Sequence, residues 1–251
     1  MGYERVNTER DDFWRKFGDD APRFSAGLRV MEIGCGTGSR SFEIASHGAQ
    51  VLGIDPSAVM IESAEQERQK LEPKLAERVS FRQCTIQDVE SDDFDIVISE
   101  DSFEHIVDVP DVLAAIRDKL APGGRAYIGF GPLYHSPYGD HGWLQANLPY
   151  GFLPWSHLLL PKSLTYKLAG KKIGRPFTDT IDWPFLALNQ HTTADFKRMF
   201  AESGLKVVCI RHVEHDSMAG KVFDIFRRVP GLNKYFTDGI YCVLEKTPDQ
   251  H

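Results

Sequence analysis

The chain has 251 residues, of which 42% are hydrophobic and 26% charged, with a formal net charge of −7. That length and balance predict one large domain, or one domain with a sizeable insertion, with enough apolar residues to bury a core. The acidity argues against a protein that holds nucleic acid mainly through its phosphates. In chain order, residues 1–27 carry Phe13, Trp14 and Phe17 at helix-like spacing, which predicts an N-terminal helical cap with one face on the body or over a site. LRVMEIG reads as a buried strand over 28–33, followed by a glycine turn at 34–38. Ser39 to His47 suits a helix closed by Gly48. AQVLGID is a second strand ending at Asp55, Pro56 and Ser57 open a helix through AVMIESAEQERQKL, and VSFRQ is a third strand. FDIVIS gives a fourth strand over 94–99, and a helix from Val109 to Leu120 ends at Pro122, Gly123 and Gly124. RAYIGF is a fifth strand.

Strands alternating with helices at this pace predict βαβ units in a parallel sheet. Ligands then bind outside the carboxyl ends of the strands. The alternation stops at Gly131, and residues 131–190 are rich in aromatics, prolines and histidines, as in an inserted lid. TTADFKRMFAESG is a helix capped by Thr192 or Thr193 and closed by Gly204. LKVVCIRHV and GIYCVLEK are two final strands, with another helix within DSMAGKVFDIFRRVPGLNKYF between them. The predicted division is a cap at 1–27, a cofactor-binding α/β core at 28–130, a lid at 131–190 and a return to the core at 191–251.

Three glycines at alternate positions in EIGCGTG permit a sharp turn and close approach of backbone to a ligand. A dinucleotide fingerprint wants G-x-G-x-x-G, but here the sixth position is Ser39 and the third glycine comes early, at Gly38. Asp55 lies 21 residues after Gly34, where a carboxylate can accept from both ribose hydroxyls of a nucleoside.

EIGCGTG, GIDPS, FDIVIS and LAPGGRAYIGF together resemble the class I S-adenosylmethionine-dependent methyltransferases over about residues 28–130, with a weaker echo in the last helix and two strands. The resemblance implies a doubly wound, Rossmann-like sheet of seven mostly parallel strands, the last antiparallel. It implies S-adenosylmethionine as cofactor and S-adenosylhomocysteine as product. Gly34, Gly36 and Gly38 would pass under the amino-acid part of the cofactor. Glu32 would anchor the turn through backbone donors, or help hold the cofactor's ammonium. Asp55 would bind the ribose, Gln87 and Asp88 would meet the adenine, and Ser99 would line the sulfonium end. An acid after a strand can also serve only as a cap or turn residue, and Asp88 carries that second reading. Cys35 reads as a small turn residue rather than a nucleophile.

Methyl transfer needs in-line alignment and exclusion of water, and a hydroxyl acceptor needs a base. In SEDSFEHI, Asp101, Glu104 and His105 stand at spacings that share one face of a helical turn. Two carboxylates and a histidine can bind a divalent metal. The stretch is similar to the metal-binding E-x-x-E-H element of ubiquinone-biosynthesis and small-RNA 2′-O-methyltransferases, with Asp101 in place of the first Glu. The other reading has Glu104 capping backbone and His105 facing the pocket, where it could be the base. His135, Asp140 and His141 follow the fifth strand, and His141 is the stronger candidate for a base or an added metal ligand. His157 reads as structural.

Tyr134, Tyr138, Trp143, Tyr150, Phe152 and Trp155 could wall a pocket for a flat or apolar small-molecule acceptor, or form a satellite core. An apolar stretch with Lys162, Lys167, Lys171 and Lys172 could rest on a membrane surface, although its prolines favour a lid that opens. Cys35, Cys84, Cys209 and Cys242 have no CxxC spacing, against a zinc knuckle or disulfide framework. The start, MGYERVNTERDD, lacks a secretory signal's apolar core, and no apolar run is long enough to cross a bilayer. A soluble, cytoplasmic protein is expected. The activity expected is O-methylation of a small or medium-sized metabolite, such as a polyketide, a sugar-bearing product or a quinone-type phenol. Net acidity disfavours an RNA or protein acceptor, although Lys171-Lys172 and Arg227-Arg228 keep it open. Ser39 speaks against a nicotinamide-dependent oxidoreductase, and a cofactor-binding protein without turnover is the remaining alternative.

Overall fold

The computed structural model describes residues 13–141, 154–161, 163, 164, 167, 170, 171, 188–213 and 218–248. Trp143, Tyr150, Phe152, Lys162 and Lys172, assigned above to the lid, lie outside the described residues. Strands β1 (Arg29–Ile33), β2 (Gln50–Asp55), β3 (Val79–Gln83), β4 (Phe94–Glu100) and β5 (Leu120–Phe130) alternate with helices α1 (Ser39–Ser46), α2 (Ala58–Arg68), α3 (Pro73–Ala76) and α4 (Val109–Lys119). Then come α5 (Ser156–Leu159), α6 (Thr193–Glu202), β6 (Lys206–His212), α7 (Met218–Arg227) and β7 (Ile240–Glu245). The seven strands form one sheet in the order β3-β2-β1-β4-β5-β7-β6. β7 runs antiparallel to both of its neighbours, β5 and β6, and the other pairings are parallel. This is the doubly wound arrangement expected from the sequence. Strand order reverses between β1 and β4, so a crevice opens at their carboxyl ends.

Both faces of the sheet are covered, so its strands are apolar on both sides. Alternation with period two sorts their side chains. Met31, Ile33 and Val97 join Leu113, Ile116, Phe196 and Phe200 on one face. Val30, Ile96 and Ile98 join Ile44, Ala45 and the N-terminal Phe13 and Phe17 on the other. The aromatic group of the N-terminus therefore does pack on the body. Phe17 sits 5.5 Å from both Tyr127 and Tyr241, ring centre to ring centre, in T-shaped contacts.

Local signals set the helix ends. The Ser57 hydroxyl accepts from the Met60 amide, and Asp108 from the Asp111 amide. Thr192 and Asp195 cap α6 reciprocally. Such caps are each worth about 1 kcal/mol. One boundary differs from expectation. Pro122, Gly123 and Gly124 do not merely end a helix, because α4 stops at Lys119 and Leu120 already belongs to β5. The Gly123 amide donates to the Lys246 carbonyl (2.7 Å), and the Lys246 amide to the Gly124 carbonyl (2.9 Å). A side chain at Gly124 would press on the carbonyls of Ala121 and Phe94, so glycine is what lets this part of the strand run so close. Among the described residues, no helix is long and apolar enough to cross a membrane.

Candidate active site

The glycine turn after β1 lies at the crevice. Gly34, Gly36 and Gly38 all have positive φ (72°, 50° and 83°), a region that side chains make costly. The amides of Gly34 and Cys35 both donate to the Ile54 carbonyl (2.8 and 3.0 Å), tying the turn to the end of β2. A Cβ at Gly34 would strike the Ser102 hydroxyl, and one at Gly38 the Phe81 ring. At Gly36 it would meet nothing within 4 Å. The outer two glycines thus serve packing, while the middle one leaves its face open to a ligand.

Asp55 braces this turn. Its Oδ2 accepts from the Gly36 amide (3.1 Å) and its Oδ1 from the Ser57 amide (2.8 Å). Each oxygen keeps a further lone pair. Glu32 lies buried below, where the Ser41 hydroxyl of α1 donates to its Oε2 (2.5 Å). Burial pushes Glu32 up to about 8, in spite of Ser41. Its hydroxyl partner is thus on α1. Asp88 takes the capping role, accepting from the Thr85 amide (3.0 Å) and hydroxyl (2.8 Å) at a short 3₁₀ turn. Those bonds hold its carboxyl below the usual range. Gln87, beside it, is exposed. Ser99 departs from expectation. β4 runs one residue further, to Glu100, and Ser99 is wholly buried with its hydroxyl donating to the Ile33 carbonyl (3.3 Å). It ties β4 to β1 rather than lining the opening.

Beyond β4 the chain does not form the helical turn that the spacing suggested. Asp101 has φ 47°, in the left-handed region, and residues 103–105 make a turn closed by the His105 amide on the Ser102 carbonyl (3.0 Å). Glu104, His105 and His141 converge, with one ligand atom from each lying within 4.8 Å of the others. Asp101 is absent from that set, and His141 takes its place. The physical reason is that helical spacing does not govern a turn entered through a left-handed residue. The His105 and His141 rings stack at 5.2 Å and 11°.

Glu104 is buried, and among the described residues neither carboxylate oxygen has a hydrogen-bond partner of normal geometry. Burial, with the nearby Asp101 charge, pushes it up to about 8, and the backbone of Glu104 and Gly131 offsets this only in part. Asp101 keeps solvent access, yet crowding and the Glu100 charge raise it to about 6. Burial first, then the His105 charge, lowers His141 below the ordinary histidine value, with Asp140 opposing. His135 is not in the cluster, and its Nε2 lies 3.2 Å from the Gln190 carbonyl. His157 is bound to the Tyr134 carbonyl (2.7 Å), a structural role.

Two supports carry no local signal in the sequence. Asn189 donates from Nδ2 to the carbonyls of Phe103 and Ile106 (2.7 Å each), and its own amide donates to the Glu104 carbonyl (2.6 Å). It holds the turn that presents Glu104 and His105. Arg40, nearly buried on α1, makes a two-pronged contact with Glu100 (2.9 Å each) and lies under the rings of Phe13 and Trp14. It fixes the end of β4 against the glycine turn.

A cavity of about 430 Å³ adjoins the cluster, lined among others by Asp101, Phe130, Pro132, Tyr138, His141 and Tyr241. A second hollow, of about 290 Å³, lies by Arg29, Arg78 and Arg82 and contains none of the residues discussed above as site candidates. The first fits chemistry better: Phe130, Pro132 and Val213 line it together with the titratable Asp101, His141 and Asp238.

A family profile described as a methyltransferase domain matches residues 24–131. A ubiquinone biosynthesis O-methyltransferase of Bradyrhizobium sp. (strain ORS 278) is 31% identical over 180 residues, spanning 67% of this chain and 68% of that protein. One of the same name from Rhodopseudomonas palustris (strain BisB5) is 37% identical over 123 residues, or 48% of this chain and 47% of its own length. Across four such relatives the match spans between 28% and 47% of their length. The fold also matches a geranyl diphosphate C-methyltransferase from Streptomyces coelicolor A3(2), with TM-score 0.59 and 16% identity, covering 97% of this chain and 78% of that one. That structure holds Mg2+, geranyl diphosphate and S-adenosyl-L-homocysteine. The sheet order, the glycine turn with its bracing acid, and these likenesses place the chain in the class I S-adenosylmethionine-dependent methyltransferase family.

Proposed function

We propose that this chain transfers the methyl group of S-adenosylmethionine to an oxygen of a small or medium-sized acceptor of phenol or quinone type, releasing S-adenosylhomocysteine. The observation that carries the reading is the convergence of Glu104, His105 and His141 beside an apolar cavity at the carboxyl ends of β4 and β5. Gly36 and Asp55 hold the cofactor, Gly34 and Gly38 shape the turn, Glu32 sets α1, and Gln87 with Asp88 borders the adenine. The names of the relatives favour a quinone-type phenol over a polyketide or sugar-bearing product. The four free cysteines suit a reducing, cytoplasmic setting. Residues 28–130 act as the cofactor-binding part and 131–190 as the acceptor side.

In the reaction the S–CH3 bond breaks, its electron pair stays on sulfur, and an O–CH3 bond forms in line. The acceptor's O–H proton must leave. His141, an exposed residue whose pKa partial desolvation lowers from the ordinary histidine value, takes it at a ring nitrogen. Tyr138, Phe130 and Tyr241 flank the acceptor and exclude water.

The orphaned Glu104 carboxylate supports a second reading of the same cluster. A buried acid with no hydrogen bond of normal geometry, and two imidazoles beside it, match the donor chemistry of a divalent cation. Glu104, His105 and His141 would hold the cation, which would act as a Lewis acid on an acceptor oxygen. The test is purified protein with S-adenosylmethionine and an ortho-diphenol, with product read by mass spectrometry with and without chelator. An O-methyl product supports the reading, and its loss with chelator selects the metal form. No product from any phenol, with cofactor bound, contradicts the acceptor class.

A further inference from the structure

Between β6 and β7 the chain leaves the sheet at Val213 and returns at Asp238, and both residues line the acceptor cavity. α7 and the turns after it fill that excursion. The inner face of α7 is aromatic: Phe223 packs on Trp155 and Phe236 at 5.6 and 5.4 Å. The Trp155 indole donates to the Tyr235 carbonyl (2.9 Å). Arg227 donates from Nη1 to the Val213 carbonyl (2.7 Å), pinning the end of the helix to the cavity wall.

A helix that only packs on its own body turns polar residues outward. α7 does not. In α7 Ile225 is 63% exposed and Val222 48%, and past its end Val229 and Leu232 are also open to solvent, whereas Phe226 stacks on Phe236 at 5.2 Å. A spacing of three sets Val222 and Ile225 on one side of the helix, and Val229 follows two residues past its last residue, Arg227. The exposed charge among them has one sign. Lys221 and Arg228 are exposed and pair with no acid among the described residues. Asp224, the acid of this helix, turns inward to Arg227 (3.2 Å). A molecule of net charge −7 thus shows here a patch that is both apolar and cationic.

We propose that this face docks the protein on an anionic lipid bilayer. Val222, Ile225, Val229 and Leu232 enter the boundary of the acyl chains, and Lys221 and Arg228 meet headgroup phosphates. A second copy fits less well, because a two-fold contact through this face would set the same cations against each other. Docking here brings the cavity wall at Val213 and Asp238 toward the bilayer, where an apolar acceptor is found. That last consequence rests on the methyltransferase reading, whereas the docking itself does not.

The test is sedimentation of the full chain with vesicles of phosphatidylcholine alone and with about a third phosphatidylglycerol. The expected result is at least a roughly tenfold preference for the anionic vesicles, weakened by salt. Lys221→Glu with Arg228→Glu lowers binding by about thirtyfold or more. Ile225→Glu with Val229→Glu lowers it on both vesicle types. Calorimetric titration with S-adenosylhomocysteine, run on every variant, reports folding and the cofactor site separately. Lost vesicle binding with intact cofactor binding in the variants supports docking. Intact cofactor binding in a native chain that ignores both vesicles overturns docking alone, and vesicle binding without cofactor binding overturns the methyltransferase reading alone. A concentration-dependent dimer without vesicles, abolished by Ile225→Glu with Val229→Glu, would also overturn docking and give this face to a second copy.

Discussion

Asp55 braces the Gly36 backbone, and each of its oxygens keeps a further lone pair. Asp55→Ala is therefore expected to lower S-adenosylmethionine affinity by roughly tenfold to a hundredfold, the size of lost charge-assisted bonds. Calorimetric titration measures it, and unchanged affinity removes the assignment. The role proposed for His141 is different. His141→Ala is expected to lower turnover by about a hundredfold or more with cofactor affinity little changed. The base form of a histidine exists above its pKa, and burial puts that pKa below 6.5. The native enzyme should thus lose kcat only as the pH falls below that value. A pH–rate profile whose acid limb persists in His141→Ala would move the base to another residue.

The glycine turn separates folding from function within one element. Gly36→Ala meets open space, so the cost to folding is about 1 kcal/mol from the positive φ alone, yet the methyl group intrudes where a cofactor passes. Gly38→Ala must displace Phe81 as well and should cost clearly more stability. Thermal melts and cofactor titration on both variants check the contrast. The turn at 101–105 behaves as an element too, and its strut is Asn189. Asn189→Ala leaves the Phe103 and Ile106 carbonyls without that donor, and it should raise KM for the acceptor and lower kcat while cofactor affinity holds. Strands and helices of the core were legible because period two and helical spacing act locally, and because Ser57 and Thr192 mark helix starts. The 101–105 turn was not legible, since Asp101 in the left-handed region carries no such mark. Nor were the Asn189 strut and the Arg40–Glu100 contact, which join residues more than fifty positions apart. His141 was legible as a residue type in a suggestive loop, but its meeting with Glu104 and His105 is a product of the fold.

At the scale of the molecule, a buried acid beneath the turn makes stability depend on pH. Glu32 is raised to about 8 in the folded state against about 4.5 when exposed. Between those values the folded chain binds more protons than the unfolded one, so stability falls as pH rises through that window. The effect is on the order of a few kcal/mol, and Glu32→Gln should flatten the slope in melts taken from pH 5 to pH 8. The same scale joins two surfaces that the sequence kept apart. α7 is legible as a helix, but which side faces outward follows only from packing against Trp155 and Phe236, and that the flanking Val213 and Asp238 line the cavity follows only from the fold.

The most direct test of the central claim follows the methyl group itself. Purified protein, methyl-labelled S-adenosylmethionine and a cell extract are incubated together, and the label is traced. Label in the organic-soluble, small-molecule fraction is the predicted result. Label in acid-precipitable RNA or protein would contradict the proposed acceptor.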